Sequence, residues 1–272
     1  MQFRQLLQQA HALPSVPQVA ARLIESFESD RIDIGTIAQE IDKDPVLAGR
    51  ILQQANSSFF RTLRPVATVR DATAVLGLNK VRSLVLAAVV QDSFKGLRNF
   101  DQNAFWHYSM AAAALSRFIA EPLKLDGDIA FTTGLLHAVG ELVMQVGMPG
   151  DMHTFNHLVP LLDVTRGARQ QEAFGYSYAD VGAELVAHWR LPSAMVTCIR
   201  QHVLPLDHED SLPLAAVLHL AAWRARVFVA GNQREVLIYS YPDSVGLLLD
   251  LDPDWLVSPD LPVLGGLLPS AG

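Results

Sequence analysis

Helix starts recur along this chain with unusual regularity, and they limit the fold more than any other feature. Asp44 followed by Pro45 is an N-cap with proline at the first helical position, where its missing N–H costs nothing. Behind it Leu47, Ile51, Leu52 and Ala55 repeat at helical spacing, which buries one face. Thr68 with Asp71 three residues on has the capping spacing; its helix runs to Leu76, and Gly77 can take the left-handed C-terminal position. Asn79 is read as the cap of the next helix, whose run Leu84 to Val90 is apolar nearly all round and therefore interior.

Further helices are expected from near Asp101 (with Trp106, His107 and Leu115), from near Asp128 (with Leu135, Leu136, His137 and Leu142), over Ser177 to Trp189, over Pro192 to His202, and from Pro213 to Val229. Asp92 to Asp101 is polar, carries Gly96 and Asn99, and is the expected boundary between two units. From Gly231 the last 42 residues hold five prolines and six acidic residues, so a more irregular segment is expected. Within it Asp252 and Pro253 start a short helix, and Val236 to Tyr241 is the one strand-like run. The reading is all-α and two-lobed: residues 1–98 a first helical lobe, 99–230 a second, and 231–272 a Pro/Asp-rich terminal segment.

Composition excludes several function classes. Half of the 272 residues are hydrophobic and 18% are charged, which supports a packed core and argues against disorder. The apolar run at Leu84 to Val90 is far too short to cross a bilayer, and the glutamine-rich start lacks a secretory core, so a soluble, cytoplasmic protein is expected. The single cysteine, Cys198, rules out a disulfide framework and reads as core packing. A net charge of −7 speaks against nucleic-acid binding over the whole surface. Between Arg61 and Arg98, however, seven basic residues face only Asp71 and Asp92, a local +5 that leaves −12 elsewhere. Arg61, Arg64, Arg70, Lys80 and Arg82 are therefore read as a strip for an anionic ligand or acidic partner, against the plainer reading of a solvated helical face. No phosphate-cradling glycine loop is present, since Leu76 to Leu78 and Gly265–Gly266 lack the spacing.

Several segments together resemble one family. LPSVPQVAARLIESF, DPVLAGRILQQANS and LGLNKVRSLVLA in the first half, then FWHYSMAAAALSRFIA, IAFTTGLLHAVGELVM, VGAELVAHWRLP and IRQHVLP, stand in the order shown by the HDOD family, the HD-related output domain of bacterial signalling proteins. The resemblance covers about residues 10–225. It implies a second lobe related to the HD-type metal phosphohydrolases, in which a histidine, a His-Asp doublet and a later aspartate converge on divalent metal. By this resemblance His107 matches the first histidine and His137 that of the doublet. Ala138 stands where the doublet's aspartate belongs, and Ala222 near the later one.

Alanine cannot ligate, and two imidazoles without a carboxylate leave a hard cation no adequate site. The expected pocket is thus vestigial, built around His107, His137, Ala138, Glu141, His202 and Ala222, with no cofactor and no catalytic residue. Glu141 is weighed as a stand-in carboxylate, and Glu184 with His188, or His153 with His157, as metal-gripping pairs on one helical face. The resulting function is a non-catalytic signalling module that binds a protein partner in trans or an anionic ligand such as a nucleotide; a homo-oligomer stays open, and no membrane partner is expected. The alternative is a metal-dependent phosphohydrolase or phosphodiesterase acting on nucleotides, with His107 and His137 as surviving ligands. A DNA-contacting regulator is a third, weaker reading.

Overall fold

A computed structural model describes residues 2–8, 38–39, 41–42, 44–56, 65–94, 96–97, 100–231, 233–258 and 261–264. Its elements are α1 (Phe3–Gln8), α2 (Pro45–Ala55), α3 (Val69–Leu76), α4 (Leu78–Ser93), α5 (Gln102–Ala120), α6 (Gly127–Leu136), α7 (Val139–Gly147), α8 (Pro149–Leu158), α9 (Arg166–Phe174), α10 (Tyr178–His188), α11 (Ser193–Gln201), α12 (Pro213–Val229), α13 (Arg234–Tyr239), α14 (Asp243–Leu248) and α15 (Pro253–Val257), with a 3₁₀ turn at Pro205–Asp207. Among the described residues there is no strand, so the fold is all-α.

Side-chain caps explain where several of the helices begin. The Asp44 side chain accepts from Leu47 N–H, Thr68 from Asp71 N–H and Asp101 from Ala104 N–H. At α10 the box is reciprocal: Ser177 accepts from Ala179 N–H while its own N–H donates to the Asp180 carboxylate. Gly77 has φ 85°, a backbone that side-chain-bearing residues avoid, but with ψ 156° it is extended rather than left-handed helical. Asn79 is not the cap of α4. It lies inside that helix, donates to Asp128 on α6 at 2.8 Å and accepts from Arg82 at 3.0 Å. Of the strand-like run Val236 to Tyr241, the first four residues close helix α13, which buries only Leu237, and the run forms no strand; β propensity yields there to context.

Two groups of helices meet where α4 crosses α6. All ten residues from Val81 to Val90 are buried, as expected for a helix apolar on every side. Ser83 and Thr132 hydroxyls join the two helices at 2.6 Å. In the second group α5 lies between α6 and α12, and α7 packs on α10, which in turn packs on α11. Small residues set these spacings. Ala111 to Ala114 on α5 are buried, and a Cβ on Gly134 would sit 2.7 Å from Ser116 Oγ and 2.8 Å from Ala113 Cα. A Cβ on Gly140 would meet the Tyr178 carbonyl oxygen at 2.0 Å, so only glycine allows α7 to approach α10.

Gly127–Gly147 is long and apolar enough to span a membrane by composition, which a count of unbroken apolar runs overlooks. The chain turns within it at His137–Ala138, and 89% of the apolar window is buried inside the protein. It is core, packed on α5 and α10. Behind α12, Arg224 donates to the carbonyls of Leu256 and Ser258, both at 3.0 Å, and so fixes the end of α15.

Candidate functional site

The turn that separates α6 from α7 holds His137 between Gly134 and Gly140, so two close helix approaches flank one fully buried imidazole. Its Nδ1 is 2.6 Å from the Gly134 carbonyl, which can only accept, so Nδ1 carries the hydrogen. Nε2 is then the acceptor and takes the Tyr108 hydroxyl at 2.6 Å. His202 repeats the pattern at the end of α11: Nδ1–H donates to Ile199 at 2.6 Å and Nε2 accepts from Tyr178 at 3.0 Å. The two imidazole rings lie 5.4 Å apart, nearly perpendicular.

Arg226, on α12, closes this array. It donates from Nη2 to the Tyr178 hydroxyl at 3.0 Å, and its guanidinium sits 4.9 Å from the Tyr108 ring centre and 5.6 Å from that of Tyr178. Such cation–π contacts are worth roughly 0.5 to 2 kcal/mol each, well short of the cost of burying a charge. Desolvation, then the Arg226 charge, pushes the His137 pKa down from 6.5 to about 3. His202 falls well below its ordinary value through burial, then His137, with Arg226 adding to it. Both rings are neutral at physiological pH. Burial raises the Tyr108 hydroxyl well above the usual phenol range, so it stays a donor.

The pocket expected from the sequence is only partly assembled. His137, Ala138, His202 and Ala222 are buried around it. His107 is not brought to His137; one residue along α5 rotates a side chain by about 100°, and its ring lies edge-on to Phe228 at 5.8 Å. Tyr108 stands at His137 in its place. Glu141 is no stand-in ligand, because Arg166 grips both of its oxygens at 2.7 and 2.9 Å and Gln170 donates to one at 3.0 Å. Arg166 is itself fully buried, with Asn156 at 2.7 Å and the Val159 carbonyl as further acceptors.

The two other candidate pairs differ from each other. Glu184 is held by Arg200 at 2.7 Å, and His188 is exposed. His153 and His157 do touch, with ring centres 4.7 Å apart, but both are exposed. Among the described residues no three His, Cys, Asp or Glu side chains converge as a metal-binding group. Of the basic residues read as a strip, three are described: Arg82 is 7% exposed within α4, Lys80 is half-buried near Arg117, and Arg70 is on the surface. Arg61 and Arg64, with Lys95 and Arg98, lie outside the described residues. Cys198 is core, its thiol pushed up by burial.

Residues 13–205 match the HDOD domain family model. The chain belongs to the HDOD family. Among solved structures it is similar to a candidate phosphohydrolase from Shewanella amazonensis SB2B, at 26% identity over 97% of this chain and 95% of that one, with a TM-score of 0.77. It is also similar to an HDOD protein of unknown function from Geobacter sulfurreducens, at 25% identity over 92% of this chain and 84% of that one, TM-score 0.68. A candidate signal transduction protein from Marinobacter aquaeolei VT8 shares the fold, at 22% identity over 92% of this chain and 56% of that one, TM-score 0.73. No curated protein matches the sequence. As an HDOD protein the chain is a two-lobed helical bundle with an HD-like second lobe. The HD-type metal site that this fold implies fits the residues present poorly, because both nitrogens of His137 and of His202 are already engaged and the Glu141 carboxylate is neutralised by Arg166.

Proposed function

We propose that this HDOD protein is a non-catalytic signal-transduction module that acts by binding a partner protein or an anionic ligand. The observation that carries this reading is Arg226. Where water-activating chemistry would need acidic oxygens to hold a cation, this chain puts a buried positive charge beside two neutral imidazoles. A site in which His137 resists protonation down to about pH 3 resists a divalent ion for the same two causes, desolvation and the neighbouring guanidinium. Ligation would also require the rings to give up the Tyr108 and Tyr178 hydroxyls.

The phosphohydrolase description of the Shewanella relative makes turnover the decisive test. Purified protein is assayed with phosphate mono- and diesters, cyclic nucleotides included, in the presence of Mn²⁺, Mg²⁺ or Fe²⁺. The expected result is no turnover above that of the His137→Ala variant. Hydrolysis that disappears on His137→Ala would contradict the proposal.

A further inference from the structure

Tyr178, His202, Ala222 and Arg226 form part of the lining of a cavity of about 130 Å³. A cavity of about 150 Å³ accommodates benzene, so the occupant here is limited to about six non-hydrogen atoms. A nucleoside would protrude from it. That bound narrows the anionic-ligand half of the proposed function, on which the present inference rests.

The lining also specifies chemistry. Arg226 is 5% exposed, no carboxylate among the described residues lies within ion-pair distance of it, and its Nε–H has no acceptor. Glu141 is already committed to Arg166 and Gln170. His219, also in the lining, donates from Nδ1 to the His202 carbonyl at 2.8 Å, which leaves Nε2 as an acceptor. Two other polar groups of the lining are spent on each other: Trp223 Nε1–H donates to Ser240 Oγ at 2.8 Å, and that hydroxyl donates to Val236 O at 2.6 Å. Val164, Val203 and Pro242 supply apolar wall. One cation, one acceptor and an apolar wall remain.

The geometry points to a binding site for a small organic monoanion, a short-chain carboxylate whose carboxylate group pairs with Arg226 and whose hydrocarbon end lies against Val164, Val203 and Pro242. A single charge is favoured because the lining offers one guanidinium, and a dianion would bury an excess negative charge. Charge-assisted hydrogen bonds to a buried guanidinium are the strong kind, and the apolar end adds burial that inorganic anions lack.

Calorimetric titration of the full chain with butyrate, butyramide and inorganic phosphate tests this. Butyrate is expected to bind, with butyramide and phosphate weaker by about tenfold or more. Ala222→Met, which fills the cavity and leaves Arg226 in place, is expected to abolish butyrate binding. Arg226→Met, with its fold checked by circular dichroism, should do the same. The inference is overturned if butyrate does not bind, if butyramide or phosphate binds as well or better, or if Ala222→Met leaves affinity unchanged. Those outcomes leave the non-catalytic reading standing, whereas ester turnover would strike that reading and not the anion site.

Discussion

Two arginines, Arg166 and Arg226, are both buried and are partnered in opposite ways. Arg166 is completed by protein: two oxygens of Glu141, Asn156 and the Val159 carbonyl account for its guanidinium. Arg226 has two tyrosine faces, one phenol oxygen and, among the described residues, no carboxylate. A closed ion pair has nothing left to offer a ligand and serves to join α7 to α9. An open cation at the edge of a cavity carries a standing desolvation cost that an incoming anion would offset. The difference assigns structure to the first and recognition to the second.

Breaking the closed site should cost most. Glu141→Ala strands Arg166 without its counter-charge, and urea unfolding should show a loss of about 3 to 5 kcal/mol; Arg226→Met gives up one hydrogen bond and two ring contacts but also relieves the burial of a charge with no carboxylate beside it, and should cost less, under about 2 kcal/mol. Equal losses would erase the contrast.

Acid should act on the open site next. The folded-state pKa of His137 lies below its unfolded value of 6.5, so the unfolded chain takes up the proton first. Its contribution to stability is complete above about pH 6.5 and is lost at about 1.4 kcal/mol per pH unit as pH falls toward 3. Urea midpoints measured between pH 7 and 4.5 should therefore fall less steeply for His137→Gln than for wild type. Identical slopes would mean that the imidazole is not held neutral by this environment. Smaller still, Tyr108→Phe leaves the His137 Nε2 acceptor without a donor and should cost about 1 to 3 kcal/mol, while Tyr239→Phe, on an exposed ring, should be silent within about 0.5 kcal/mol.

Local chemistry made much of the fold readable. Asp44 with Pro45, Thr68 with Asp71, Asp101 and Ser177 with Asp180 act within one helical turn, so their caps need no tertiary knowledge. Pro149, at the first turn of α8, is the same signal and was open to the same reading. Tertiary context decided the rest. Motif resemblance selects residue types, so it picked His107; the buried spacing of Phe105, Tyr108, Ala112 and Leu115 selects the inward face and would have pointed to Tyr108. Arg166, Arg224 and Arg226 read as surface residues in a sequence because arginine is rarely buried alone. Only the three-dimensional arrangement shows that Glu141 belongs to Arg166 and that Arg226 is left open.

On the proposed reading, the buried Arg226 guanidinium takes the electrostatic role that a metal would otherwise fill. Elemental analysis of the purified chain, before and after incubation with Mn²⁺ and desalting, tests it most directly. Metal content is expected to stay far below one ion per chain, with no change on His137→Ala. Close to one iron or manganese per chain, lost when His137 is replaced, would contradict it.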